Sequence, residues 1–315
     1  MEAVSRRRFI ETVAAAGALT TVFPDRAEAR READFRGTLC FFSKHLPRMD
    51  GRGLGRSLKT LGFGGVDLTV RPKGHVEPLR VTQDLPAFVD GIRNEGLAVP
   101  MITTELTSDA DPAARPTLET AAALKVPYFK TGYYYYAFVD ARNEIAAAAA
   151  KLRGLAALSA RHGVHLGFHN HAGYIGGGIW DVVPIMDSLD PKTAGYYFDV
   201  RHAVVEGGDG GWRSAFNVAA PRLSMIAVKD FFWQKTAAGW KVQNCPMGEG
   251  MVNWKAYFAM LAKAGFHGPV SLHLEYEVPG ATPDAVEANT LAAAAKDLAF
   301  VNARIAEAYG AGSKL

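Results

Sequence analysis

A chain of 315 residues can hold two small domains or one large α/β barrel, and 49% hydrophobic against 21% charged residues is ordinary for a folded protein with a sizeable core. The formal net charge of +3, with no basic block beyond Arg6-Arg7-Arg8, is too small to argue for a nucleic-acid partner, and none is expected. Two cysteines, Cys40 and Cys245, are too few for a disulfide framework or a cysteine-ligated zinc site, and they are expected to be reduced thiols.

In chain order, residues 1–30 read as an export signal outside the fold. Paired arginines in Ser5-Arg6-Arg7-Arg8-Phe9-Ile10 precede a modestly apolar run from Thr12 to Phe23, with Ala27-Glu28-Ala29 behind it. The twin arginine followed by Phe-Ile is similar to the signal of the bacterial twin-arginine route. The run is too short, and too rich in Ala, Gly and Thr, for a stable membrane span. A periplasmic protein with no membrane partner is expected once the signal is removed.

From about Phe35 strand and helix signals alternate. Apolar runs at 38–42, 65–70, 98–103, 128–132, 165–170, 195–200, 224–229 and 270–275 read as buried parallel strands, because their apolar character is continuous and does not alternate. Helices are expected at 55–61, 86–95, 112–124, 141–161, 179–189, 212–220, 254–264 and 283–308, several of them closed by Gly62, Gly96, Gly163 or Gly265. Eight such pairs, at about 35 residues each, predict one (β/α)8 TIM barrel domain, α/β in class, over residues 36–312. A doubly wound open sheet would want a glycine fingerprint at its first helix, and none follows the first strand. Gly176-Gly177-Gly178 come after strand five instead and read as a flexible loop over the barrel mouth.

In a parallel barrel the last residues of each strand reach the open top. His169 and His171 share one parity on strand five, with Asn170 facing the other way. Asp199 ends strand six and His202 lies three residues on; strand seven offers Lys229, and strand eight offers Glu275 with His273 a layer below. Asp67, Glu105 and Lys130 come from earlier strands. An imidazole and two carboxylates converging on one spot suit a divalent cation such as Mn, Mg or Zn. A carboxylate closing an apolar strand is costly to bury unless a cation or donor meets it, which marks Asp199 and Glu275 as functional. Asp230 reads as a surface ion pair or loop cap, and Glu206, Asp209 and Glu249 as solvated loop residues.

Six segments fall in order at barrel spacing: LGFGGVDL (61–68), GVHLGFHNH (163–171), FDVRHA (198–203), VKD (228–230), GEGMVNW (248–254) and GFHGPVSLHLE (265–275). Together they resemble the sugar phosphate isomerase/epimerase superfamily, the xylose isomerase-like TIM barrels that also include endonuclease-type members. The resemblance implies one divalent metal ion (Mn, Mg, Zn or Co) held by a Glu on strand five, an Asp on strand six, a His on strand seven and a Glu on strand eight. Asp199 matches the Asp, Glu275 the last Glu, and His202 the substrate-contacting His that follows the Asp. Two positions depart: His169 stands for the strand-five Glu and Ala227 for the strand-seven His. Asp199, Glu275 and His169 are therefore the expected metal ligands. Glu275 and His169 are the expected proton-transfer groups, and Lys229, with Lys130, is the source of positive charge should no metal bind.

Such a site supports proton removal next to a carbonyl, a cation stabilising the enediolate oxygen while a carboxylate or imidazole moves the proton. The expected protein is a carbohydrate isomerase, epimerase or lyase acting on a sugar or keto-sugar. An unphosphorylated sugar or a 3-keto-glycoside fits export better than a sugar phosphate. His202, His171, Lys130, Asp67 and Trp233 are the expected substrate contacts, and Tyr133 to Tyr136, Trp180, Phe231 and Phe232 join Trp233 as loop aromatics able to stack on sugar rings. A non-catalytic carbohydrate-binding barrel is the alternative reading, and a homo-oligomer is left open. A metal-dependent endonuclease would want more ligands and a basic face.

Overall fold

The computed structural model describes residues 34–310, and the expected export signal at 1–30 lies outside them. The first half runs β1 (Leu39–Phe42), α1 (Gly51–Leu61), β2 (Gly65–Val70), α2 (Val81–Asn94), β3 (Ala98–Thr104), α3 (Ala114–Ala123), β4 (Tyr128–Lys130) and α4 (Ala141–His162). The second runs β5 (His165–His169), α5 (Val183–Asp187), β6 (Ala194–Asp199), α6 (Val200–Ala219), β7 (Leu223–Val228), β8 (Asp230–Thr236), β9 (Gly239–Cys245), α7 (Trp254–Lys263), β10 (Val270–Leu272) and α8 (Pro283–Tyr309). Eight strands close a parallel barrel in the order β1-β10-β7-β6-β5-β4-β3-β2, while β8 and β9 form a separate antiparallel hairpin.

The strands are largely apolar because both faces are covered: every residue of β2 and of β6 is buried, the polar Asp67, Thr69 and Asp199 included. Their outer faces pack on the helices in one large core, which includes Phe41, Leu54, Leu58, Phe129, Phe198 and Tyr257. Inside the barrel Met101, Tyr197, Met225 and Ala227 form a small apolar plug. That plug is the floor on which the polar strand ends stand. The glycine stops act as expected at Gly62 and Gly163, which close α1 and α4 in the left-handed conformation at φ 95° and 68°.

Three departures from the sequence reading bear on the site. The helix expected at 212–220 begins at Val200, since Asp199 caps it through His202 N, and the chain breaks helical geometry at Gly208 (φ 59°, ψ −159°). The helix expected at 179–189 is only Val183–Asp187, because the stretch before it is a series of turns with Ile179 at φ 73°. The segment after β7, expected to be loop, is the β8–β9 hairpin, paired from Asp230↔Cys245 to Thr236↔Gly239. Cys40 and Cys245 are both buried free thiols.

Candidate active site

The strand ends surround a cavity of about 350 Å³. β1 and its following turn supply Phe42 and Lys44, β2 leads into Arg71, and β3 and β4 give Thr103 and Lys130. The chain after β4 and β5 brings Tyr133, His169 and His171. β6, α6 and β7 supply Tyr197, Arg201, His202 and Lys229, and the hairpin and the chain around β10 add Asn244, His273 and Glu275.

Asp199 organises one side. It is fully buried at the end of β6, where Asn170 clamps its backbone: Asn170 Nδ2 donates to Asp199 O at 2.9 Å, and Asp199 N donates to Asn170 Oδ1 at 2.7 Å. One carboxylate oxygen accepts from His202 N at 3.1 Å and so caps α6. The other takes the Lys229 ammonium at 3.0 Å and His169 Nε2 at 3.2 Å. Burial opposes the charge on Asp199, but Lys229, His202 and His169 outweigh it and hold the carboxyl well below the usual carboxylate range.

The ionised Asp199 accepts only, which settles the protons of its neighbours. His169 Nε2 must donate, so its Nδ1 lone pair receives the Tyr133 hydroxyl at 3.3 Å. Arg201 also donates only, and its Nη1 lies 2.9 Å from His202 Nδ1. The proton of neutral His202 therefore sits on Nε2, a buried atom without a hydrogen-bond partner among the described residues and 3.7 Å from Asp199 Oδ2. His171 differs. Its Nδ1 donates to Ala172 O at 3.0 Å, which leaves Nε2 with a lone pair and no hydrogen-bond partner among the described residues. Burial and the Lys229 charge push the His171 pKa down to about 4, so the ring is neutral at pH 7. Burial pushes His169 and His202 well down too.

Glu275 stands at the rim, with Lys44 Nζ at 2.7 Å and His273 Nδ1 at 3.6 Å. Partial burial resists its charge, yet His273, Lys229 and Lys44 together keep it ionised far below the usual range. Lys130 is buried at the end of β4 with its ammonium 3.7 Å from the centre of the Tyr133 ring. Burial first, and Arg71 second, bring its pKa down to about 7.

The expected substrate contacts His202, His171 and Lys130 all line the cavity. Asp67 does not: it is fully buried in register with Met101, accepting from Ser271 Oγ and Thr103 Oγ1 at 2.7 Å each and from the Tyr197 hydroxyl at 3.3 Å, and it ties β2, β3, β6 and β10 together. Trp233 does not line it either, because its place on β8 turns it outward at 38% exposure, edge-on to Phe231; Trp180 is 52% exposed. The aromatic walls are Phe42, Tyr133 and Tyr197. His169, expected to move protons, has both ring nitrogens engaged, so the open imidazole is His171. Asp230, expected at the surface, is buried and accepts from Phe231, Gly248, Gly250 and Val252 backbone N–H groups and from Trp254 Nε1 at 2.7–3.3 Å. Glu206 accepts from Gly173 N at 2.7 Å and so anchors the loop after β5.

The sequence reading passed over Lys44, Arg71 and Arg201, although each follows a strand end closely and the rule that picked out Lys229 applies to them. Asn244 carried no comparable signal, since it reaches the cavity only through the hairpin.

A family model described as the xylose isomerase-like TIM barrel matches residues 56–303. The chain belongs to that family. No curated protein matches the sequence. Among solved structures, the chain is similar to D-psicose 3-epimerase with D-tagatose from Clostridium cellulolyticum H10, at 14% identity and TM-score 0.65 over 85% of this chain and 99% of that one. A xylose isomerase-like TIM barrel protein from Mycobacterium smegmatis in complex with magnesium gives 15%, 0.64, 87% and 98%. The 3-keto-D-glucoside 4-epimerase from E. coli gives 13%, 0.60, 85% and 99%.

For this xylose isomerase-like barrel the magnesium of one neighbour raises the question of a metal here. His169, Asp199 and His202 offer donor atoms within 4.8 Å of one another, a spacing that can hold an ion. Their protons and charges do not fit one. His202 cannot present an Nε2 lone pair while Arg201 donates to its Nδ1, and the ammonium of Lys229 already neutralises the Asp199 oxygen that would face the ion. Ala227, at the position expected to carry a ligating His, belongs to the apolar plug, and Glu275 is engaged with Lys44 and His273.

Proposed function

We propose that this protein is a carbohydrate isomerase or epimerase, or a β-eliminating lyase of the same chemistry, that moves a proton at the carbon next to a sugar carbonyl. The observation that carries the reading is His171 Nε2, an open imidazole lone pair in a cavity lined by five lysine and arginine side chains and one carboxylate, Glu275. His171 takes the proton as general base. The Lys229 ammonium meets the negative charge that builds on the carbonyl oxygen, fixed in place by Asp199 so that no reorganisation is needed when charge appears. Glu275, three strands round the barrel from His171, is the second proton-transfer group: for epimerisation it enters the cycle protonated and gives its proton to the opposite face, and the proton taken by His171 returns to water as the two groups reset. The sugar 3-epimerase and 4-epimerase among the structural neighbours support this class of reaction, and the second brings a 3-keto-glycoside into consideration.

The test is solvent exchange. Ketopentoses, ketohexoses and 3-keto-glycosides are incubated with the protein in D2O, and loss of the C–H signal beside the carbonyl is followed by NMR. Exchange is expected with at least one of these sugars, with EDTA leaving the rate unchanged. Sugars that bind without any exchange would make this a carbohydrate-binding barrel. Exchange abolished by EDTA and restored by Mn or Mg would return the positive charge to a metal and remove it from Lys229. The basic head and apolar run at residues 1–29 support export to the periplasm. Replacing Arg6 and Arg7 by Lys in the full chain is expected to hold it in the cytoplasmic fraction.

A further inference from the structure

Five side chains lining the cavity are cationic and one, Glu275, is anionic. Lys44 is committed to Glu275 at 2.7 Å, and Lys229 to Asp199 at 3.0 Å. Arg71, Lys130 and Arg201 form no ion pair among the described residues, and Arg201 is instead held by His202 and Asn244. The partners of Arg71 and Lys130 are ring faces: Phe42, 5.5 Å from the guanidinium carbon, and Tyr133, 3.7 Å from the ammonium. A buried cation that no carboxylate contacts is unfavourable, and the charges of Asp67 and Glu105 act on Lys130 only from beyond ion-pair distance. Lys130 is 2% exposed.

We infer that Arg71 and Lys130 form an anion subsite, and that the substrate is a carbohydrate bearing an acidic group, a carboxylate as in a keto-uronate or a phosphate. The inference rests on the sugar chemistry proposed above and names the class of sugar. The fold places the subsite well for this. β4, which carries Lys130, lies directly across the barrel from β10, which leads to Glu275, so an anion held by Lys130 extends the sugar across the mouth. A guanidinium beside an ammonium suits a planar or tetrahedral oxyanion, the guanidinium giving two parallel donors and the lysine a point charge. The ionisation of Lys130 agrees: the same burial and the same Arg71 charge that lower its pKa to about 7 are what a bound anion would offset.

The test compares sugars that share one skeleton. D-fructuronate, D-fructose and D-fructose 6-phosphate are titrated into the full chain by calorimetry. An acidic sugar is expected to bind about tenfold or more tightly than D-fructose at low salt, with the advantage shrinking as NaCl is raised. The Arg71→Met/Lys130→Met variant is expected to lose that advantage; it removes buried charge and so should fold, which a thermal melt checks. Tighter binding of the phosphate than of the uronate assigns the acidic group to phosphate, and the reverse assigns it to carboxylate. Equal affinity for charged and neutral sugars, or a preference that survives the double substitution, overturns the subsite. Should none of the sugars bind, inorganic phosphate and malonate are titrated instead. Anion binding lost in the double variant then upholds the subsite while the sugar reading fails, and no difference between the two proteins sinks the subsite as well.

Discussion

At the scale of single residues, the chemistry turns on which nitrogen of each histidine carries a proton. Strand parity put His169 and His171 on the same inward face, and both line the cavity. Their roles were not legible, because they depend on acceptors brought from elsewhere: Asp199 from β6 claims His169, and a carbonyl one residue on claims His171 Nδ1. Asp199 was legible as a buried carboxylate needing a cation, although that cation is the lysine of the next strand. His171→Asn is therefore expected to lower the exchange rate about 10²- to 10⁴-fold, the usual worth of a general base, without lowering the melting temperature. His169→Ala should do the opposite in stability. It strips a donor from buried Asp199 and an acceptor from Tyr133, at a cost of about 1–3 kcal/mol in a denaturant titration. If His169→Ala abolished exchange at full stability while His171→Asn remained active, the assignment would have to be exchanged between the two rings.

Among the elements, the β8–β9 hairpin is the one the sequence concealed. It follows β7 after a single residue, Lys229, so the apolar Phe231-Phe232-Trp233 looked like the loop of a barrel strand. What makes it a part of the site is its far strand. Asn244 accepts from Arg201 Nη2 at 2.5 Å and donates to Glu275 O at 2.9 Å, linking the hairpin to the group that sets the His202 tautomer and to the rim carboxylate. Its base is fixed by Asp230 and the turn around Gly248 and Gly250. A Cβ at Gly250 would lie 2.1 Å from Asp230 Oδ1 and 2.4 Å from Phe231 O, so only glycine lets this turn close over the carboxylate. Asp230→Ala is expected to cost about 3–5 kcal/mol, since it leaves buried N–H groups without an acceptor. The hairpin should loosen first: hydrogen exchange at Trp233 and Val242 is expected to rise ahead of that in β2 and β6. Uniform exchange across hairpin and barrel in the variant would show that Asp230 supports the whole fold and not this element.

For the whole molecule, the barrel was the most legible feature, because eight apolar runs alternate with eight helix signals at about 35 residues each and no glycine fingerprint follows the first strand. The helix boundaries around Gly208 and Ile179 were less so, since backbone geometry there overrides local preference. The same closed sheet gives the protein a pH response that no single stretch of sequence announces. Folding encloses His45, in the turn after β1 where it accepts from Leu274 N at 3.1 Å, together with His169, His171 and His202, all in their neutral forms, with pKa values pushed down by burial to about 3 for His45 and about 4 for His171. In the unfolded chain each would take a proton near 6.5. Between about pH 6.5 and pH 4 the unfolded state therefore binds more protons than the folded one, and stability falls as the pH falls, by about 1.4 kcal/mol per unit for each such ring. Below about 4 the depressed carboxyls of Asp199 and Glu275 act in the same direction, since the unfolded chain protonates them first. Denaturant midpoints are expected to drop steeply from pH 6.5 downwards, and His171→Asn should recover about 2–3 kcal/mol of the loss by pH 4. A midpoint flat from pH 6.5 to 4.5 would mean that these rings are charged in the folded protein. His171 could not then be the open base, and the positive charge of the cavity would be larger than its five lysine and arginine side chains provide.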